Sequence, residues 1–300
     1  VRRTVAMSVL RPFAFVDRAT GLSGFVGAAD DLVGRHGTVG GSVTQLPDPR
    51  SVRPVRARDR GRSGPVGATQ PASPSETARV GPPPVSQPTA SHPLELLEIG
   101  DSLGEDLGFG LADVLPSPQV QVLEEAVGDT GLSRPDYYDW PAELQEELSR
   151  YHPQAVVVFL GANDAQSFVV DGTVVSFGTP SWQADYSARV GELMSEAAAA
   201  GAHVLWVGMP VMASASMSQE MQGLNAIYAR QASEHSGVTY FSSWSTFTAP
   251  GGGYDEYLPD SSGTESPVRD SDGVHLTASG DDRLAQALVP AMEADWHVNL

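Results

Sequence analysis

The chain has no cysteine. That excludes a disulfide framework, a cysteine-based zinc site and a thiolate nucleophile. It leaves the compartment open, because many exported proteins carry no disulfide. Lysine is also missing: all 18 basic residues are arginine. Nowhere is there a run of about 18 or more apolar residues, so no complete membrane span is present in the sequence. The nearest approach, Val5 to Val16, is broken by Arg11-Pro12. With Arg2-Arg3 ahead of it, this stretch resembles the start of a signal peptide without a clean apolar centre. The expectation is a protein of the cell envelope or of the space outside the cytoplasm, associated with a membrane or envelope through its N-terminal region.

Positive charge is scarce and unevenly placed. The formal net charge is −19 over 300 residues. Residues 1–92 hold 12 Arg against 6 acidic residues, a net of +6, whereas residues 93–300 hold 6 Arg against 31 acidic residues, a net of −25. So acidic a body repels nucleic acid, which is excluded as a partner. The basic N-terminal stretch reads most simply as solvated chain.

Three regions follow from composition. Residues 1–42 are interrupted by glycine and allow at most short helices near Thr4–Asp17 and Gly27–Gly34. Residues 43–92 are rich in Pro, Ser, Arg and Gly and bury too little apolar surface to offset ordering entropy, so they read as a disordered linker. The folded domain is expected over residues 93–295.

Inside that domain strands and helices alternate. Leu94–Ile99 is a strand, then a helix near Leu103–Leu115. Val120–Val127 is a second strand, and Ala142–Tyr151 a helix with Pro141 in its first turn. Ala155–Leu160 is a continuous apolar run, the pattern of a strand buried on both faces of a parallel sheet. A loop containing Phe168 and Val175 allows a short hairpin. Ser181–Ala200, His203–Val207, Ser218–Ser236, Val238–Phe241 and Thr277–Ala294 continue as helix, strand, helix, strand and helix. Between Ser242 and Ser271 lies a long loop, the usual form of a lid or insert. The alternation predicts a three-layer α/β/α, flavodoxin-like fold with a parallel five-stranded sheet.

In such sheets ligands bind beyond the carboxyl ends of the strands. The most informative stretch lies at one of these ends. Gly100-Asp101-Ser102-Leu103 joins the first strand to the first helix, where helix N–H groups can stabilise an anion. Gly131, Asn163 and His275 also fall in loops that follow predicted strands. A serine needs a base to become nucleophilic. His275 suits that role and becomes active once neutral, above about pH 6–7. Asp272, three residues before it, is spaced to orient the imidazole, with Asp270 as a competitor. For the other histidines, His36, His92, His152, His203, His235 and His297, solvation, capping or packing is the simpler reading.

Gly100-Asp101-Ser102-Leu103 resembles the first block of the GDSL hydrolases, also called the SGNH superfamily after four ordered residues, Ser, Gly, Asn and His. Gly131 in Asp129-Thr130-Gly131-Leu132-Ser133 would be the second, with Gly128 an alternative. Gly161-Ala162-Asn163-Asp164 matches the third and Asp272-Gly273-Val274-His275 the last. The resemblance spans about Leu94 to Pro290. It implies the SGNH fold and a serine ester hydrolase with catalytic Ser102, Asp272 and His275. It further implies an oxyanion hole formed by the Ser102 and Gly131 backbone N–H groups and the Asn163 side chain. No metal and no cofactor are implied. The expected substrate is a small-molecule or polysaccharide ester, with an O-acetyl group on a cell-envelope carbohydrate favoured by the linker context. An O-acyltransferase with the same triad, or a non-catalytic envelope-binding module, is the alternative. Tyr137, Tyr138, Trp140, Trp182, Trp244, Tyr254 and Tyr257 lie in or near the loops, and packing explains each as well as a subsite does.

Overall fold

The structure, a computed structural model, describes residues 81–300. The helices expected near Thr4–Asp17 and Gly27–Gly34, the signal-like start and most of the linker lie outside the described residues.

Five strands build one parallel sheet: β1 Leu94–Gly100, β2 Val120–Glu124, β3 Ala155–Phe159, β6 His203–Val207 and β7 Val238–Phe241. Their order is β2-β1-β3-β6-β7. Two short antiparallel hairpins, β4 Phe168–Val170 with β5 Thr173–Val175 and β8 Tyr257–Pro259 with β9 Glu265–Pro267, are inserted in the loops. The helices are α1 Ser102–Val114, α2 Trp140–Tyr151, α3 Pro180–Ala199, α4 Ala215–Glu234 and α5 Ala278–Trp296. Helices α1 and α5 pack together over one face, and α2, α3 and α4 line up over the other. This is the three-layer α/β/α architecture expected from the sequence.

Local chemistry sets the boundaries. β3 reads Ala-Val-Val-Val-Phe and is buried throughout, as a central strand covered on both faces must be. Asp101, Asp139, Thr179, Ser214 and Thr277 cap the five helices, each side chain accepting a first-turn N–H. Pro180 sits at the start of α3, where its missing N–H costs nothing. Leu103, Leu107 and Leu111 form one fully buried stripe of α1. α1 stops before Pro116, because the residue ahead of a proline is driven to extended backbone, as Leu115 is at ψ 145°.

Two details differ from the sequence reading. β2 ends at Glu124 rather than Val127, although the Glu125 and Val127 N–H groups still donate to the Glu98 and Gly100 carbonyls. The long loop after β7 carries the β8–β9 hairpin. Its turn is closed by Asp260 Oδ1, which accepts N–H groups from Ser262 and Thr264.

The domain boundary also moves. Residues 81–92, assigned to the linker from composition, form a strap along the domain. Pro82 lies against Gly237, and His203 Nε2 donates to the Pro83 carbonyl at 3.1 Å. Val85 packs on the core, Pro88 is buried, and Gln87 exchanges hydrogen bonds with Asn299. Proline makes this possible, since a pre-extended segment loses little entropy on docking. His203 opens β6 and Gly237 precedes β7, so the strap runs at the N-terminal edge of the sheet. Among the described residues no helix is long and apolar enough to cross a membrane.

A chain starting at residue 93 therefore melts below one starting at residue 81. Losing Val85 and Pro88 costs about 2 kcal/mol, or about 4–8 °C in a domain of this size. Calorimetry on the two chains checks this, and equal melting temperatures would show that the strap adds no stability.

Candidate active site

The sheet order places a topological switch point between β1 and β3, whose ends are level: Gly100 pairs with Phe159. Ser102 is the first residue of α1, beyond β1, and Asn163 follows β3. One carboxylate joins these two ends. Asp101 accepts Leu103 N–H through Oδ1 at 3.0 Å and the N–H groups of Gly161 and Ala162 through Oδ2, both at 2.8 Å. It is fully buried, and desolvation pushes its pKa up to about 7 against the pull of those three donors.

The last sequence block reaches the serine. Asp272 Oδ1 accepts the N–H groups of Val274 and His275 at 2.8 and 3.0 Å, folding the segment into a tight turn. Its Oδ2 lies 2.5 Å from His275 Nδ1, and His275 Nε2 lies 2.8 Å from Ser102 Oγ. An ionised carboxylate only accepts, so Nδ1 carries the proton and Nε2 of the neutral imidazole accepts from the serine hydroxyl. Asp270, the competing orienter, instead uses its backbone N–H to bond the His275 carbonyl.

Electrostatics follow from this contact. The hydrogen bond to Asp272 raises the His275 pKa to about 9 rather than the roughly 6–7 expected from the sequence, although burial opposes the shift, so the neutral imidazole that accepts the serine proton predominates only above about pH 9. Burial likewise pushes Asp272 up, but the His275 contact and the two backbone donors outweigh it and hold Asp272 below the usual carboxylate range.

Arg269, not singled out from the sequence, braces the histidine turn. It is 1 % exposed and donates to the Val211 carbonyl at 3.0 Å and the Val274 carbonyl at 2.7 Å. Its guanidinium also lies over the Phe247 and Tyr254 rings. Desolvation lowers its pKa to about 10. One partner carbonyl, Val274, is five residues away, but the other, Val211, is 58 residues back, which no local pattern discloses.

Asp164 organises the glycine loop in the same way. It accepts from Ser133 N–H at 2.7 Å, Leu132 N–H at 3.1 Å and the Tyr186 hydroxyl at 2.7 Å. The Tyr186 and Tyr228 hydroxyls are 2.8 Å apart, and Tyr228 reaches the Leu160 carbonyl at the end of β3. Burial raises the Asp164 pKa. Asn163 Nδ2 donates to the Thr130 carbonyl at 3.0 Å, so the third block touches the second directly.

Gly131 and Gly128 differ in what surrounds them. A Cβ at Gly131 would sit 2.3 Å from Asp164 Oδ1, an oxygen fixed by its own donors. At Gly128 the nearest atom, Glu105 Oε2, would be 3.4 Å away, an ordinary contact. The close approach that requires glycine is at Gly131.

Of the other described histidines, none approaches Ser102. His152 and His297 end helices in left-handed backbone, His235 bonds Gln231, His203 bonds Pro83 and His92 bonds Ser91; His36 lies outside the described residues. Among the described residues no group of three or more acidic or histidine side chains is placed to hold a metal ion.

Sheet order, the four ordered blocks and the Ser102–His275–Asp272 chain are the arrangement that the resemblance to the SGNH hydrolases implies. Residues 95–291 match the family model described as Protein of unknown function (DUF459), and the chain belongs to that family. No curated protein sequence matches the chain. Similar solved structures include a catalytic mutant of an acetylxylan esterase from Geobacillus stearothermophilus, at 14 % identity and a TM-score of 0.46, covering 67 % of this chain and 95 % of that one. A protein from Slackia heliotrinireducens assigned to the SGNH hydrolases has 21 % identity and a TM-score of 0.46, covering 67 % and 99 %. TesA has 18 % identity and a TM-score of 0.45, covering 67 % and 99 %.

The imidazole of His275 should titrate with a midpoint near 9 by NMR, and Asp272→Asn should bring it down toward about 6.5. Because the folded pKa is raised, the contact stabilises the fold fully below about pH 6.5, and this contribution is lost as pH rises through about 9. A wild-type midpoint near 6.5 would show that the carboxylate does not hold the ring. The glycines separate by stability: Gly131→Ala should cost about 1–3 kcal/mol by overpacking, and Gly128→Ala within about 0.5 kcal/mol. Equal denaturation midpoints for the two variants would contradict the assignment of the close approach.

Proposed function

We propose that the protein is a serine ester hydrolase that works through an acyl-enzyme. One observation carries the reading: the unbroken hydrogen-bonded chain from Asp272 through His275 to Ser102 at the sheet's switch point, with links of 2.5 and 2.8 Å. Ser102 Oγ attacks the ester carbonyl while its proton passes to His275 Nε2. The tetrahedral intermediate collapses, the C–O bond to the alcohol breaks, and the imidazolium returns the proton to the departing oxygen. Water then attacks the acyl-enzyme by the same route and frees the acid. Asp272 holds the imidazole in the tautomer this requires and stabilises the imidazolium.

The oxyanion is met by the Ser102 N–H at the start of α1, the Gly131 N–H and Asn163 Nδ2. First-turn amides of a helix have no intrahelical partner, which leaves Ser102 N–H available. Asn163 has two amide hydrogens, and the Thr130 carbonyl takes one of them at 3.0 Å. Gly131 presents a backbone without a side chain.

The substrate we assign is an O-acetyl ester on a neutral carbohydrate of the cell envelope, reached from an N-terminal region that associates with that envelope. Hydrolysis is favoured over transfer to a second sugar because the His275 and Asp272 side chains are open to water, at 37 % and 42 % exposure. No step uses a metal or a cofactor.

A panel of chromogenic esters from acetyl to long acyl, run beside an acetylated polysaccharide, tests the assignment. Short acyl esters and the polysaccharide should be cleaved, and Ser102→Ala should abolish turnover while melting normally. Asn163→Ala should lower kcat by about 10²–10³ with KM changed far less, because that donor acts on charge present only in the transition state. Near-normal turnover by folded Ser102→Ala protein would remove the nucleophile, and a normal kcat with a lowered melting temperature would reduce Asn163 to a turn residue.

A further inference from the structure

The loop that begins at Gly131 ends at Asp139, the cap of α2, and its far end forms one wall of a groove. The groove runs between the start of α2 and the middle of α3, with an accessible volume of about 390 Å³. That lies within the range of small-molecule sites, about 300–1,000 Å³. It contains none of Ser102, Asp272, His275 or Asn163, yet it shares Leu132, the residue after Gly131.

Its chemistry is specific. Tyr138 is half-buried with its ring tilted against Trp140, 4.9 Å between centroids, and Tyr137 before it is 50 % exposed. Arg189 lines the groove, donates Nη1 to the Leu132 carbonyl at 2.7 Å and lies over the Phe168 ring, 4.1 Å from its centroid; among the described residues its Nε and Nη2 have no hydrogen-bond partner. Glu196 accepts from Gln145 through Oε1 at 2.7 Å, and its Oε2 is buried without a partner. Glu192 is exposed beside it. An aromatic face, spare guanidinium donors and spare carboxylate acceptors together match a ring that bears hydroxyls, each able to donate and accept. Charge selects among such rings. Three carboxylates, Asp139, Glu192 and Glu196, line the groove along with Arg189 on a domain of net −25, so a ring carrying a carboxylate would be repelled.

We propose that this groove is a subsite for neutral sugar rings, binding the part of a carbohydrate chain next to the esterified residue. The proposal rests on the ester-hydrolase reading, and it makes the substrate an oligosaccharide or longer rather than a single acetylated sugar. Arg189 links the two functions: a sugar ring on its free donors sits on the guanidinium that also holds the Leu132 carbonyl, one residue from the oxyanion donor.

Binding without catalysis separates this proposal from the reading beneath it. Full-length Ser102→Ala protein is titrated with unesterified cellohexaose, xylohexaose, mannohexaose and hexagalacturonate, followed by tryptophan fluorescence and by NMR. At least one neutral hexasaccharide should bind saturably and more tightly than hexagalacturonate. Tyr138→Ala should weaken it tenfold or more, and so should Glu192→Arg at an exposed position that does not threaten folding. Tyr257→Ala, at an exposed tyrosine outside the groove, should leave it unchanged. Saturable binding to none of the neutral chains, equal affinity in Glu192→Arg, or tighter binding of hexagalacturonate would overturn the subsite. If the wild type cleaves small esters but binds no hexasaccharide, the subsite falls and the hydrolase reading stands. If a hexasaccharide binds in the groove but no ester is cleaved, the hydrolase reading falls and the binding remains.

Discussion

The Asp101 carboxylate is the constraint on which the site depends. A fully buried carboxylate is costly unless its oxygens are hydrogen-bonded, and Asp101 is satisfied only by donors from two separate strand ends. Leu103 N–H fixes the start of α1 and so the direction of Ser102. Gly161 and Ala162 N–H fix the turn that carries Asn163. The same side chain thus caps a helix and sets the spacing across the β1–β3 crevice. Moving either end breaks hydrogen bonds to a buried acceptor, so neither end can drift independently of the other.

Two further buried polar groups do for the remaining loops what Asp101 does for these. Asp164 holds the Gly131 loop through Leu132 and Ser133 and is backed by the Tyr186–Tyr228 pair reaching to β3. Arg269 holds the histidine turn by donating to the Val274 carbonyl within it and to the Val211 carbonyl in the loop after β6. Every segment that carries a candidate site residue is therefore held by a buried charged or polar side chain with several backbone partners. Such networks rigidify when their members are satisfied, as the carboxylates of Asp101 and Asp164 are, whereas Arg269 keeps one buried donor, Nε, without a partner; preorganisation of this kind is what electrostatic catalysis requires.

How much of this could be read in the sequence depended on whether the physics was local. β3 and α1 were legible because a run of β-branched residues and a leucine stripe are decided within a few residues. The convergence of Ser102, Asp272 and His275 was legible because a serine, a histidine and an aspartate three residues before it stand at loop positions after strands. The choice between Gly128 and Gly131 was not, since it turns on how closely Asp164, more than thirty residues on, approaches the backbone. Arg269 was hidden for the same reason. The β8–β9 hairpin was missed because strands of three residues such as Glu265-Ser266-Pro267 carry no alternating pattern. The strap at residues 81–92 has the composition of a linker; only the surface it docks on gives it a place.

The central claim is that His275, oriented by Asp272, makes Ser102 nucleophilic. The most direct measurement is covalent: the folded protein is treated with a fluorophosphonate and the adduct is mapped by peptide mass spectrometry. One adduct is predicted, on Ser102 Oγ, lost in His275→Ala protein that still melts as wild type. Labelling at another serine, or undiminished labelling of Ser102 without His275, would contradict the account.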